Sequence, residues 1–198
     1  VSNIIVMGMG EPLDNYEELL RFIKLVSCEK GIGISQRNIT VSTCGLVDKI
    51  RMLADEKLQI TLAISLHAPN DEIRRQTMPI ANRYTIGEII QACKYYFDKT
   101  GRRITFEYSM IRGVNDKEEH AKELAGRLSG LNCHINLIPL NEVKERNCYR
   151  STKEDIEKFK TILEKYRKTV TIRREMGSDI DAACGQLRKK FLTKNGRN

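Results

Sequence analysis

Cys184 sits in the stretch Asp179-Ile180-Asp181-Ala182-Ala183-Cys184-Gly185-Gln186-Leu187, with two alanines before it and a glycine after it. Small neighbours leave a sulfur accessible to a bulky partner, so the pattern suits a reactive thiol. On local grounds alone a small buried structural cysteine is the favoured reading. The flanking charges pull the thiol in opposite directions: Asp179 and Asp181 raise its pKa if close, whereas Arg173 and Arg174 lower it.

Other residues with chemical potential fall in short polar or glycine-containing stretches. Gly8-Met9-Gly10-Glu11-Pro12 combines backbone that can approach a ligand closely with one carboxylate at its rim. That carboxylate can accept from an ammonium or a ribose hydroxyl. The same residues also suit a plain strand-to-helix turn, and they are not the G-x-G-x-x-G dinucleotide fingerprint. Ser42 and Ser65 are small hydroxyls, His67 is one of three histidines, and Asn141 follows a Pro-Leu pair. Taken singly, each also reads as a turn, cap or core residue. Only a shared position would make them a site.

Short β-branched runs at residues 3–7, 38–43, 59–66, 103–110, 134–139 and 169–174 predict six strands. Between them, apolar residues at helical spacing predict helices over 16–29, 47–57, 85–99, 117–128 and 151–167. Thr85 is placed to cap the third of these, with Gly101 just past its end, and Ser151 and Glu154 form an S-x-x-E capping box for the last. Strands alternating with helices argue for an α/β fold, a parallel sheet with helical crossovers. The alternation leaves a barrel-like arrangement and a doubly wound sheet equally open. In either, the polar stretches follow strands, where loops converge on one mouth.

Composition narrows the class. With 198 residues, 40% hydrophobic and 30% charged, the chain suits a soluble globular domain. No apolar run approaches the ~20 residues of a membrane span. Six scattered cysteines without a C-x-x-C pair give neither a zinc knuckle nor a disulfide framework, and a reduced, cytoplasmic protein is expected. The chain opens with Val and an apolar run from its third residue, so a preceding segment is expected. Residues 1–140 carry 18 Lys+Arg against 17 Asp+Glu, a net of +1, while residues 141–198 carry 16 against 9, a net of +7. Such asymmetry suits contact with a polyanion, although a solvated basic terminus accounts for it too.

Seven motifs occur in order: GMGEPLDN, ITVSTCG, ISLHAPNDEIR, FEYSMIRGVND, HINLIPLN, TIRRE and DIDAACGQLR. Together they resemble the radical S-adenosylmethionine (SAM) adenine-C2 RNA methyltransferases of the RlmN type, along essentially the whole chain. The resemblance implies a partial (β/α) barrel of the radical SAM type. SAM would lie across the strand ends, held by Gly10, Glu11, Ser42, Ser65, Leu66, His67 and Asn141. Cys184 would carry the methyl group as S-methylcysteine. In the family's scheme one SAM methylates this thiolate by displacement. A second SAM is cleaved reductively at a 4Fe–4S cluster, and the adenosyl radical takes a hydrogen from the S-methyl group. The carbon radical adds to adenine, and a second cysteine releases the product, leaving a disulfide. The substrates implied are 23S ribosomal RNA and tRNA, with a reducing system for the cluster, in a monomeric cytoplasmic enzyme.

The chain departs from the complete family pattern. The C-x-x-x-C-x-x-C cluster motif, the resolving cysteine and the N-terminal domain are absent, so residues 1–198 are expected to be the C-terminal portion of the enzyme and inactive alone. The basic last third gains a purpose: Lys144, Arg146, Arg150, Arg173, Arg174, Arg188, Lys189 and Lys190 can pair with RNA phosphates. Aromatic residues are 6% with no Trp, which disfavours an extended base-stacking platform. The rival readings are a Cfr-like adenine-C8 activity, a non-catalytic RNA-binding module, and a generic barrel enzyme acting on a phosphorylated metabolite.

Overall fold

A computed structural model describes residues 1–7, 10–140 and 149–174. Where the sequence alternates apolar and polar residues, the chain forms strands that are buried on one side only. β4 (Ile104–Met110) buries Ile104, Phe106, Tyr108 and Met110, and leaves Thr105, Glu107 and Ser109 half-buried. β5 (Cys133–Pro139) repeats the pattern with Cys133, Ile135 and Leu137 inside. β2 (Ile39–Thr43) and β3 (Thr61–Ser65) are buried more continuously, as strands covered on both faces are. β1 (Ile4–Val6) and β6 (Thr169–Ile172) complete the sheet.

All five pairings are parallel, and the strand order is β1-β2-β3-β4-β5-β6. That order decides between the two arrangements that the alternation left open, in favour of the barrel implied by the resemblance. A doubly wound sheet reverses direction at a switch point. Here each right-handed crossover steps to the next strand, so every crossover lands on the same face. The sheet is therefore a partial (β/α) barrel with its other face turned inward.

The helices supply the outer layer: α1 (Tyr16–Ser27), α2 (Val47–Asp55), α3 (Asp71–Thr77), α4 (Ile86–Thr100), α5 (Glu118–Arg127) and α6 (Lys153–Lys165). α1 turns Leu19, Leu20, Ile23 and Val26 into one continuous core. α4 starts as expected: Thr85 and Glu88 form a reciprocal capping box, and Gly101 closes the helix in the left-handed region at φ 65°. The expected box at Ser151 and Glu154 is corrected. The cap is Thr152, whose Oγ1 accepts from Asp155 N at 3.1 Å, while Ser151 Oγ donates to Asp116 Oδ2 at 2.7 Å. α3 was not expected. It is seven residues long with Ile73 as its one large apolar residue, so it carries no periodic signal. Among the described residues, no helix is long and apolar enough to cross a membrane.

Candidate functional site

Glu11 links the first two strand ends. Its Oε1 accepts from Leu13 N at 3.0 Å, capping the 3₁₀ turn Pro12–Asn15, and its Oε2 accepts from Cys44 N at 2.7 Å, across 33 residues of sequence. Each carboxylate oxygen keeps further acceptor capacity for a ligand ammonium. A Cβ built on Gly10 would meet no atom within 4 Å, so the backbone there borders open space. Ser42 is buried one residue before the end of β2. Burial, followed by the hydrogen bond with Glu11, pushes the Cys44 thiol up to about 12, which makes it a poor nucleophile at neutral pH. Gly45 must be glycine: its φ is +101° and a Cβ would lie 2.8 Å from Ile89 Cδ1.

β3 ends differently. Leu66 N and His67 N both donate to the carbonyl of Glu107, at 3.1 and 3.2 Å. His67 then turns into the left-handed region at φ 57°, which is uncommon for a residue with a Cβ. Its ring is fixed by a backbone donor, Ser109 N, at 3.0 Å from Nδ1. An amide can only donate, so Nδ1 accepts and the ring hydrogen lies on Nε2. Burial, with a smaller push from the Arg74 cation, lowers His67 to about 4, so at neutral pH the ring is uncharged. Leu66 has its side chain fully buried, and what it contributes is the spacing between Ser65 and His67.

Two residues that the sequence did not single out as site residues hold these ends in place. Arg74 on α3 is 0% exposed. Its Nε donates to Leu66 O at 3.2 Å, and its Nη2 reaches Cys44 O at 2.6 Å and Ser65 O at 3.4 Å. Among the described residues its Nη1 is buried without a partner. Asn115 is also fully buried. Its Nδ2 donates to His67 O at 2.8 Å and Ser109 O at 2.7 Å, and its Oδ1 accepts from Ile111 N at 2.7 Å. Glu11, Ser42, Ser65, Leu66 and His67 are thereby gathered at one mouth, as their positions in the sequence suggested.

Farther across the sheet, side chains bond to one another. Asn136 Nδ2 donates to Glu107 Oε2 at 2.8 Å, Thr171 Oγ1 donates to Asn136 Oδ1 at 3.1 Å, and His134 Nε2 lies 2.9 Å from Thr171 Oγ1. Burial raises the Glu107 carboxyl, opposed by its bond to Asn136 and by Arg173. Arg173 and Arg174 are exposed just beyond β6, and Arg173 N donates to Leu137 O at 2.8 Å. Arg150 forms an antiparallel bridge with Ile111. Asn141, Lys144, Arg146, Cys184, Arg188, Lys189 and Lys190 lie outside the described residues.

A sequence profile of the radical SAM superfamily matches residues 2–125, more than half of the chain. Curated relatives match nearly all of it. "Probable dual-specificity RNA methyltransferase RlmN" of Lachnospira eligens is 62% identical over 97% of this chain, and the protein of that name from Clostridium perfringens is 58% identical over 99%. This chain spans 55% of the first and 56% of the second, about half the length of each. A solved radical SAM methyltransferase from Sphaerobacter thermophilus superposes with a TM-score of 0.90 at 49% identity, covering 94% of this chain and 55% of that one. A domain of a pyruvate-formate lyase-activating enzyme from Bacteroides vulgatus gives a TM-score of 0.66 at 21% identity, a likeness of fold alone.

Proposed function

We propose, from the premise that this chain belongs to the radical SAM superfamily, that it is the barrel portion of an RlmN-type adenine-C2 methyltransferase of 23S ribosomal RNA and tRNA. The names of the relatives, the seven ordered motifs and the S. thermophilus methyltransferase support this reading. The single observation that carries it is the mouth itself: Glu11, Ser42, Ser65 and His67 lie on three adjacent strand ends, tied together by Arg74 and by Glu11. The enzyme is read as a cytoplasmic monomer, drawing electrons from a separate reducing system.

The mouth fits SAM in its donor set and its room. Open space at Gly10, spare acceptor capacity on Glu11 and the Nε2 hydrogen of His67 suit a ligand with an ammonium, a carboxylate and a nucleoside. Asn141, which follows β5 by two residues in the sequence, would join them. SAM, when bound, supplies the methyl group as an electrophilic carbon on a sulfonium. Cys184 would be the thiolate nucleophile that receives this methyl group. Arg173, Arg174, Arg188, Lys189 and Lys190 would hold the RNA phosphates nearby.

The iron–sulfur cluster of the superfamily finds no ligands among the described residues. Cys28 is exposed, Cys44 half-buried, and Cys93 and Cys133 buried. No group of three His, Cys, Asp or Glu there can hold a metal ion. The cluster would be held by cysteines elsewhere in the whole enzyme.

Peptide mass spectrometry of Cys184, in the full-length protein purified from growing cells, tests the reading. One added methyl group on that sulfur is expected. An unmodified thiol in protein that holds its cluster and SAM would refute the carrier role. The position of the methyl on the product nucleoside separates C2 from C8 chemistry.

A further inference from the structure

The backbone carbonyl of Glu107 holds the end of β3, but its side chain is outside every ligand role assigned above. Parallel register places it in a transverse row with Ser65 on β3, Asn136 on β5 and, through Asn136, Thr171 on β6. Residues paired in register point to the same face of a sheet. Which face is fixed by Glu107's neighbours. Phe106 and Tyr108 are fully buried, and the Tyr108 ring lies 5.2 Å from that of Phe159 on α6. Both therefore point into the helix layer, and Glu107 points to the concave face, as Ser65 does.

The row is directional. Thr171 has one hydroxyl hydrogen and gives it to Asn136 Oδ1, so His134 Nε2 must be the donor in its contact with Thr171. Holding Asn136 by its oxygen aims its Nδ2 at Glu107 Oε2. Three successive donors thus form a chain whose last member, Asn136 Nδ2, donates to one carboxylate oxygen. Among the described residues no hydrogen bond reaches Oε1. Burial works against the charge of this carboxyl, and the cation that offsets it, Arg173, is exposed. A glutamate kept half-buried on the inner face, with one oxygen oriented and the other open, is an acceptor suited to a donor-rich ligand.

Ser65, one strand spacing away at about 4.8 Å, belongs to the mouth assigned to SAM. Vicinal hydroxyls are the ligand groups that a single carboxylate accepts from most readily, as in nucleotide-binding folds. We propose that Glu107, oriented by Asn136 and Thr171, accepts from the ribose hydroxyls of the SAM adenosine. This inference rests on the reading of the mouth as a SAM site.

Equilibrium dialysis of the cluster-loaded, full-length protein tests it. The probes are S-adenosylhomocysteine and its 2′,3′-dideoxy analogue. Glu107→Gln keeps the shape but removes the charge and turns one acceptor oxygen into a donor, so with its carbonyl facing Asn136 the open position can no longer accept. It should weaken S-adenosylhomocysteine binding roughly 10- to 100-fold, change the dideoxy affinity little, and leave the melting temperature no lower. If Glu107→Gln binds both probes as the wild type does while Ser65→Ala loses them, the role of Glu107 is overturned and the SAM site stands. If the wild type binds neither probe, the SAM reading falls, and this inference with it. If Glu107→Gln keeps both affinities and loses affinity for the RNA substrate, the carboxylate faces the RNA and the proposal is wrong.

Discussion

The strand ends of β2 and β3 and the inner face of β4–β6 are both polar, yet they are held by different means. At the ends, backbone is held by side chains that water does not reach: Arg74 collects three carbonyls and Asn115 bridges two strands, both fully buried. On the inner face, side chains hold side chains. Glu107, Asn136, His134 and Thr171 are half-buried or exposed. An unmade hydrogen bond inside the protein costs its full desolvation, whereas one near water is replaced by solvent. The first region is therefore a mount that fixes where loops stand. The second can change its contacts without disturbing the fold, which is where discrimination among ligands is best placed.

The largest effect that separates them belongs to Arg74→Met. It fills similar space but leaves the carbonyls of Cys44, Ser65 and Leu66 short of the donors that a fully buried side chain supplied. A loss of roughly 3 kcal/mol or more is expected, read from the urea midpoint of the full-length protein. Arg74→Lys should recover part of it, because one ammonium cannot fork to all three acceptors. A shift of only a few tenths of a kcal/mol for Arg74→Met would remove the mount from the comparison.

Arg74 also shows where reading the sequence stops. DEIRRQ places two arginines side by side on a short polar helix, and nothing local says that one of them is fully buried. Its burial follows from α3 lying beneath the ends of β2 and β3, a tertiary fact. The cap of α6 slipped for a related reason. Ser151-Thr152 is followed by Glu154-Asp155, so either hydroxyl matches a capping box, and Asp116, 35 residues away, draws Ser151 off. The strands and the long helices were legible because their apolar periods are strong. Their order was not, since alternation is the same in a barrel and a doubly wound sheet. Glu107 carried a signal that was missed: an acidic residue at the centre of an alternating strand, at the parity opposite Phe106 and Tyr108. Glu11, Ser42, Ser65 and His67 were legible only as a group, by their common place after strands.

A second test uses pH. His67 is held near 4 by burial and Arg74, against about 6.5 in an unfolded chain. The folded value is depressed, so the unfolded chain binds the proton more readily. This contribution is complete above about 6.5 and is lost as pH falls through 4, reaching at most about 3 kcal/mol. His134 is lowered as well, by burial and Arg103, and acts in the same direction on the other region. Urea unfolding at pH 7 and pH 4.5 for the wild type and His67→Asn isolates the His67 share. A His67→Asn protein that loses stability over this interval as steeply as the wild type would place the pH response on the inner face instead.

The smallest effect is the sharpest for the comparison. Thr171→Val keeps the shape of an exposed side chain on β6 and removes its donation to Asn136 Oδ1 and its contact with His134 Nε2. Water can take over both partners, so the urea midpoint should report a loss below about 1 kcal/mol. Freed from Thr171, the Asn136 amide can turn, and its hold on Glu107 loosens without any change in the core. A cost approaching that of Arg74→Met would mean that the inner-face row carries the fold as the strand ends do. The two regions would then be one kind of structure, and a substitution such as Glu107→Gln could no longer be read as acting on a ligand alone.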